Sequence, residues 1–205
     1  MNRSLAKLLS VVFHPLLMPT YLFAFILFYL PTYVVSLPPT NRWMMLGLIV
    51  FSTFVIPGLG AYAMMRAGQI DSLEMNRREQ RRMPLFFTCL CYSVTTYLLH
   101  REPVFDAIFY FVMGTIAASV FFAFLVSLFW KVSAHSIGVG GSLGLLLVLN
   151  MIIPEALLLI PIMLMITIAG AVLSARLALQ AHTPAQVYSG FGGGLLLAGV
   201  VAVFM

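Results

Sequence analysis

What this chain has least of is charge. Only 8% of its 205 residues are Asp, Glu, Lys or Arg, against about 25% in an ordinary soluble domain. With 62% hydrophobic residues, a soluble core is excluded, because no such core has room for this much apolar surface. Acids are the rarer sign, 6 against 11 basic residues. There is no carboxylate cluster to hold a metal ion, so no metal and no other cofactor is expected. Cysteine is nearly absent too. Cys89 and Cys91 lie inside one apolar run, and two residues apart on a helix they point in different directions. They read as buried small residues and not as a redox or metal pair. The chain also lacks internal repeats, low-complexity tracts and the strict alternation of barrel strands.

What the chain has instead is long apolar runs. Residues 44–64, 104–130 and 152–175 each hold at most one or two ionisable groups, and about 20 apolar residues suffice for a helix to cross the hydrocarbon core. The expected fold is a single all-α integral membrane domain over residues 1–205, a polytopic transmembrane helical bundle. Apolar segments cover 11–36, 43–65, 84–100, 104–130, 137–153, 156–175 and 187–205. His14-Pro15 and Pro19 bend the start of the first or make it re-entrant, and the third is short, so six or seven helices are expected. The basic amino-terminal stretch lacks a small-residue cleavage site and reads as an uncleaved first span.

If every segment crosses, the polar connections fall into two sets. The amino terminus, 66–83, 131–136 and 176–186 carry Arg3, Lys7, Arg66, Arg77, Arg78, Arg81, Arg82, Lys131 and Arg176; the other side carries only Arg42 and Arg101. The positive-inside rule places the first set in the cytoplasm, and a bacterial inner membrane is the expected location.

Three polar segments of the first set carry the candidate chemistry. In 71–84, Asp71 and Glu74 look like a capping-box helix start. On such a helix Arg78 and Arg82 share one face, and Arg77 and Arg81 the next. These guanidiniums form either an anion site or an anchor on lipid headgroups. The second segment is Lys131-Val132-Ser133-Ala134-His135-Ser136, before small residues such as Gly140 and Gly144 that permit close helix packing. In the third, Arg176 precedes His182 by six residues and Gln186 follows His182 by four, one helical turn later.

In order and spacing, residues 66–195 resemble the type 2 phosphatidic acid phosphatase superfamily, whose pattern is Lys-x6-Arg-Pro, then Pro-Ser-Gly-His, then Ser-Arg-x5-His-x3-Asp. Here the second motif reads Val132-Ser133-Ala134-His135 and the third Ala175-Arg176-x5-His182-x3-Gln186. The first is degenerate: Arg82-Met83-Pro84 stands in place of Arg-Pro, no Lys stands seven residues before Arg82, and Gln186 replaces the Asp. The resemblance implies a phosphatase-like bundle in which His182 is the nucleophile, His135 the general acid and Gln186 the orienting partner. Arg78, Arg82, Arg176, Ser133 and the Ala134 N–H would bind phosphate. The implied activity is metal-independent hydrolysis of a lipid phosphate or isoprenoid pyrophosphate through a phosphohistidine. A catalytically weak relative that binds lipid phosphate is the alternative, and a transporter or structural membrane protein the third possibility. The implied partners are membrane lipids, and no nucleic acid is expected.

Overall fold

A computed structural model of the chain describes residues 1–75 and 77–203. In chain order the helices are α1 (Arg3–Val12), α2 (Met18–Tyr29), α3 (Pro39–Val50), α4 (Ile56–Arg66), α5 (Arg82–Arg101), α6 (Ala107–Phe129), α7 (Ala134–Ile152), α8 (Leu159–Ala178) and α9 (Pro184–Val203). Short 3-10 turns at Pro15–Leu17, Glu79–Arg81 and Pro154–Ala156 and a π-helical turn at Phe51–Val55 complete the order. Among the described residues, seven helical stretches are long and apolar enough to cross a membrane, with α1–α2 and α3–α4 each counting as one. The protein is an all-α, polytopic integral membrane protein. The first stretch begins at Arg3, earlier than expected, and breaks at His14-Pro15. The last two residues of the seventh expected segment, 204–205, and Asn76 lie outside the described residues. Cys89 and Cys91 sit half-buried on α5 and are free thiols.

The helix expected to start at Asp71 does not form. Residues 71–75 are turns and bends, and Met75 adopts φ 45°, a left-handed conformation that stops a helical run. The Asp71 carboxylate accepts a hydrogen bond from the Gln80 side-chain amide instead of capping a helix, and Arg81 Nε donates to the Met75 carbonyl at 2.9 Å. Helix α5 begins at Arg82 with Pro84 in its first turn, where an N–H has no intrahelical partner to lose. Arg78 precedes this helix, so the expected pairing of Arg78 with Arg82 on one helical face is absent.

The chain divides into two compact units, one of residues 19–130 and the other of residues 1–18 with 131–205. In the first, α5 presents a buried stripe of Pro84, Thr88, Tyr92, Thr95 and Leu99, the three- and four-residue spacing of one helix face. Pro57, in the first turn of α4, has no N–H to offer the Thr53 carbonyl four residues earlier. The π-helical turn lies at this point, with the Ile56 N–H reaching the Phe51 carbonyl, and the buried Tyr92 hydroxyl donates to the Thr53 carbonyl at 3.0 Å. A neighbouring helix thus supplies the donor that proline removed, as apolar surroundings require. Arg42, one of two basic residues expected on the charge-poor side, serves the local backbone. Its guanidinium donates to the carbonyls of Leu27 (2.7 Å), Leu37 (3.0 Å) and Val35 (3.2 Å).

In the second unit α7 is the most enclosed helix, and small residues bring α9 against it. A Cβ on Gly140 would strike the Phe191 carbonyl, one on Gly144 would lie 2.6 Å from the Leu195 oxygen, and one on Gly194 would strike the Ile137 carbonyl. Gly140 and Gly144 therefore lie against the Phe191 and Leu195 backbone of α9, and Gly194 against the Ile137 and Gly141 backbone of α7, a backbone-to-backbone crossing of the kind that small residues permit between membrane helices. Helix α1 lies on α8, with Ala6 and Ser10 as its buried residues.

Candidate active site

The candidate site is built where α8 ends and α9 begins. Gln180 takes φ 52°, the left-handed step that commonly closes a helix, and the Ala181 N–H returns to the Arg176 carbonyl at 3.2 Å. This tight reversal delivers His182 just before α9. Thr183 caps that helix: the Gln186 N–H donates to Thr183 Oγ1 at 3.4 Å, and the Thr183 N–H donates to Gln186 Oε1 at 3.3 Å. These two bonds form a capping box, Thr-x-x-Gln, with Pro184 at the first helical position.

The capping box fixes the Gln186 amide. A backbone N–H can only donate, so the side-chain atom facing Thr183 is the oxygen. The same Oε1 lies 3.1 Å from His182 Nδ1, so Nδ1 carries the proton and the neutral ring keeps its lone pair on Nε2. Gln186 orients His182 through an uncharged acceptor whose position is set by the helix start. His182 is 8% exposed and lines a cleft of about 570 Å³ together with Lys131, Gln186, Thr183, Leu177 and Pro184. The cleft pairs one ammonium and several hydrogen-bonding groups with an apolar wall.

The second motif lies alongside. The Ser133 N–H donates to the Gln186 carbonyl at 3.3 Å, fastening the start of α7 to the first turn of α9. Ser133 is fully buried, and its Oγ accepts the Ser136 N–H at 3.3 Å as the cap of α7. Ala134 is the first residue of α7, at the positive end of the helix dipole. His135 Nε2 donates to the Ser10 carbonyl at 2.9 Å, and the His14 ring meets His135 edge-on with centroids 5.6 Å apart. Arg176, in the last turn of α8, donates from Nη1 to Ser10 Oγ at 3.1 Å. Arg176, His14 and His182 all lie close enough to His135 to interact with it electrostatically.

Six of the expected site residues thus gather in one unit: His182, Gln186, Ser133, Ala134, His135 and Arg176. Arg78 and Arg82 belong to the other unit. There Arg78 Nη1 donates to the Phe129 carbonyl and Arg82 Nη2 to that of Leu128 at 3.5 Å. These are the last two residues of α6, whose final turn holds no basic residue of its own. Both guanidiniums occupy the place where cations favour a helix end. Three contributors escaped the motif resemblance. Lys131 was visible in the second polar segment but had no counterpart in the motif. Thr183 was legible as Thr-x-x-Gln before an apolar run. Ser10 carries no local signal, because its partners lie on α7 and α8. Among the described residues no group of three or more His, Cys, Asp or Glu side chains is placed to hold a metal ion.

No protein-family model, no curated protein and no solved structure matches the chain.

Proposed function

We propose that the protein is a membrane-embedded phosphatase that hydrolyses a lipid phosphate or isoprenoid pyrophosphate through a phosphohistidine on His182. The His182–Gln186 pair in the cleft carries this reading. A neutral imidazole held by its Nδ1–H presents a nucleophilic Nε2. That nitrogen attacks phosphorus, the Nε2–P bond forms, and the bond to the leaving oxygen breaks with its electron pair on oxygen. His135 in its protonated form gives that oxygen a proton. The proton comes from Nδ1, since the Nε2–H is engaged by the Ser10 carbonyl. Water then attacks the phosphohistidine and gives a proton to the His135 Nδ1 lone pair. The Nε2–P bond breaks with its electron pair on nitrogen, which releases phosphate, restores the His182 lone pair and leaves His135 reprotonated. Phosphoryl transfer demands mainly positioning and compensation of spread negative charge, which Lys131 and Arg176 supply. Leu177 and Pro184 on the cleft wall suit an amphiphile arriving from the bilayer.

The test is phosphate release from phosphatidic acid, phosphatidylglycerol phosphate and undecaprenyl pyrophosphate in detergent micelles with EDTA present. Wild type should turn over at least one, and His182→Ala none. A second reading, a non-catalytic lipid-phosphate binder, is favoured by the absence of charge on Gln186 and by the use of His135 Nε2–H as a bond to the main chain. Binding of the lipid phosphate without turnover would establish it in place of the enzyme.

A further inference from the structure

We propose that Ser10, on the amino-terminal helix α1, is a positioning residue of the site, holding His135 through its carbonyl and Arg176 through its hydroxyl. This inference rests on the phosphate-site reading and adds to it a helix outside the region of motif resemblance.

The cause lies in the sequence. Helix α1 cannot run through His14-Pro15, so the carbonyls of its last turn lose their helical partners. The Phe13 N–H closes on the Leu9 carbonyl at 2.9 Å and the His14 N–H on that of Val11 at 3.3 Å. His14 N–H would have been the α-helical partner of the Ser10 carbonyl, which accepts from His135 Nε2 instead. Ser10 is only 8% exposed; a polar group this enclosed is costly unless bonded. Its docking face is made of small residues, Ala6 and Ser10 one turn apart, while Leu5, Leu8, Val11 and Val12 are exposed.

Two chemical consequences follow. A carbonyl only accepts, so His135 keeps its Nε2–H in both charge states, and the neutral ring has its lone pair on Nδ1. The Ser10 hydroxyl accepts from the Arg176 guanidinium, which restricts a long side chain that would otherwise sample many rotamers. Ser10 touches no reacting atom under this proposal; it aims two groups that do.

The test uses the full chain in micelles, with ¹⁵N-histidine labelling and orthovanadate as the probe. The His135 resonances, identified by their loss in His135→Gln, should report the Nε2–H tautomer; an Nδ1–H tautomer would overturn the carbonyl contact. Ser10→Ala keeps the carbonyl and removes the hydroxyl, and should weaken vanadate binding about tenfold, the scale of a lost hydrogen bond to a charged group. Ser10→Thr should restore it, which a purely steric role would not. Unchanged vanadate binding in Ser10→Ala would overturn the role in positioning Arg176. Should wild type bind no vanadate, the phosphate-site reading falls, and Ala6→Phe decides the rest. Wedging α1 away from α8 should shift the His135 tautomer balance, and an unaltered balance would sink the proposal.

Discussion

Removing the Tyr92 hydroxyl should expose how much one proline weakens a membrane helix. Tyr92→Phe leaves the ring in place and deletes the donor to the Thr53 carbonyl, 3.0 Å away. Tyr92 is 1% exposed and Thr53 0%, so water cannot take over. Hydrogen bonds between membrane helices average about 0.6 kcal/mol in double-mutant cycles, because the freed group usually finds another partner. Here the α-helical partner is missing, since residue 57 is proline. The cost should therefore approach that of a buried unsatisfied carbonyl, about 1–2 kcal/mol. The assay is reversible unfolding in mixed micelles, run as a double-mutant cycle with Pro57→Ala. The alanine supplies an N–H at the α-helical position, so Tyr92→Phe should cost less in that background, with a coupling of about 1 kcal/mol. Equal costs in both backgrounds would refute the claim that Tyr92 compensates for Pro57.

Two further outcomes follow from the packing. Gly194→Ala puts a Cβ against the Ile137 carbonyl and 2.8 Å from Gly141 N; as both are backbone atoms, it should destabilise the protein by about 3 kcal/mol. Gly192→Ala, with nothing within 4 Å of its Cβ, should be neutral in the same unfolding assay, and similar losses from the two would contradict the crossing described. The double variant Arg78→Ala/Arg82→Ala removes both donors to the end of α6 and should cost about 1.5–3 kcal/mol, whereas unchanged stability would contradict their role at that helix end.

The fold was legible wherever one local property decided it. Apolar runs marked the spanning segments, and His14-Pro15 marked the break in the first, because span length and proline chemistry need no distant partner. Gly140 and Gly144 announced a close crossing, though only the structure identifies α9 as the neighbour. The supposed capping box at Asp71 failed, whereas a genuine one, Thr183 to Gln186, formed at the start of α9. The same four-residue pattern occurs in both places, and what separates them is the apolar run that follows Gln186 and a left-handed Met75 after Glu74. At the site, spacing brought His182 and Gln186 to attention; in the structure His182 stands just before α9, and the Gln186 side chain reaches back to it from the first turn of that helix. The roles of Arg42, Arg78, Arg82 and Ser10 were hidden because each depends on main-chain carbonyls or side chains that the pattern around it does not record. A helix end creates such acceptors, and no residue near the donor announces them.

The central claim is that His182 becomes phosphorylated, and the direct measurement is to trap that state. Full-length protein in micelles is given phosphatidic acid labelled with ³²P, quenched in alkali, digested and mapped, since a phosphohistidine survives alkali and is lost in acid. Gln186→Glu is the variant of choice beside wild type, because it keeps the reach of the capping box and adds the negative charge that favours His182 as its ring gains positive character. Acid-labile label is expected on the peptide holding His182, with more rapid labelling in Gln186→Glu and none in His182→Ala. Turnover with no label on His182, or label that persists in His182→Ala, would contradict the claim.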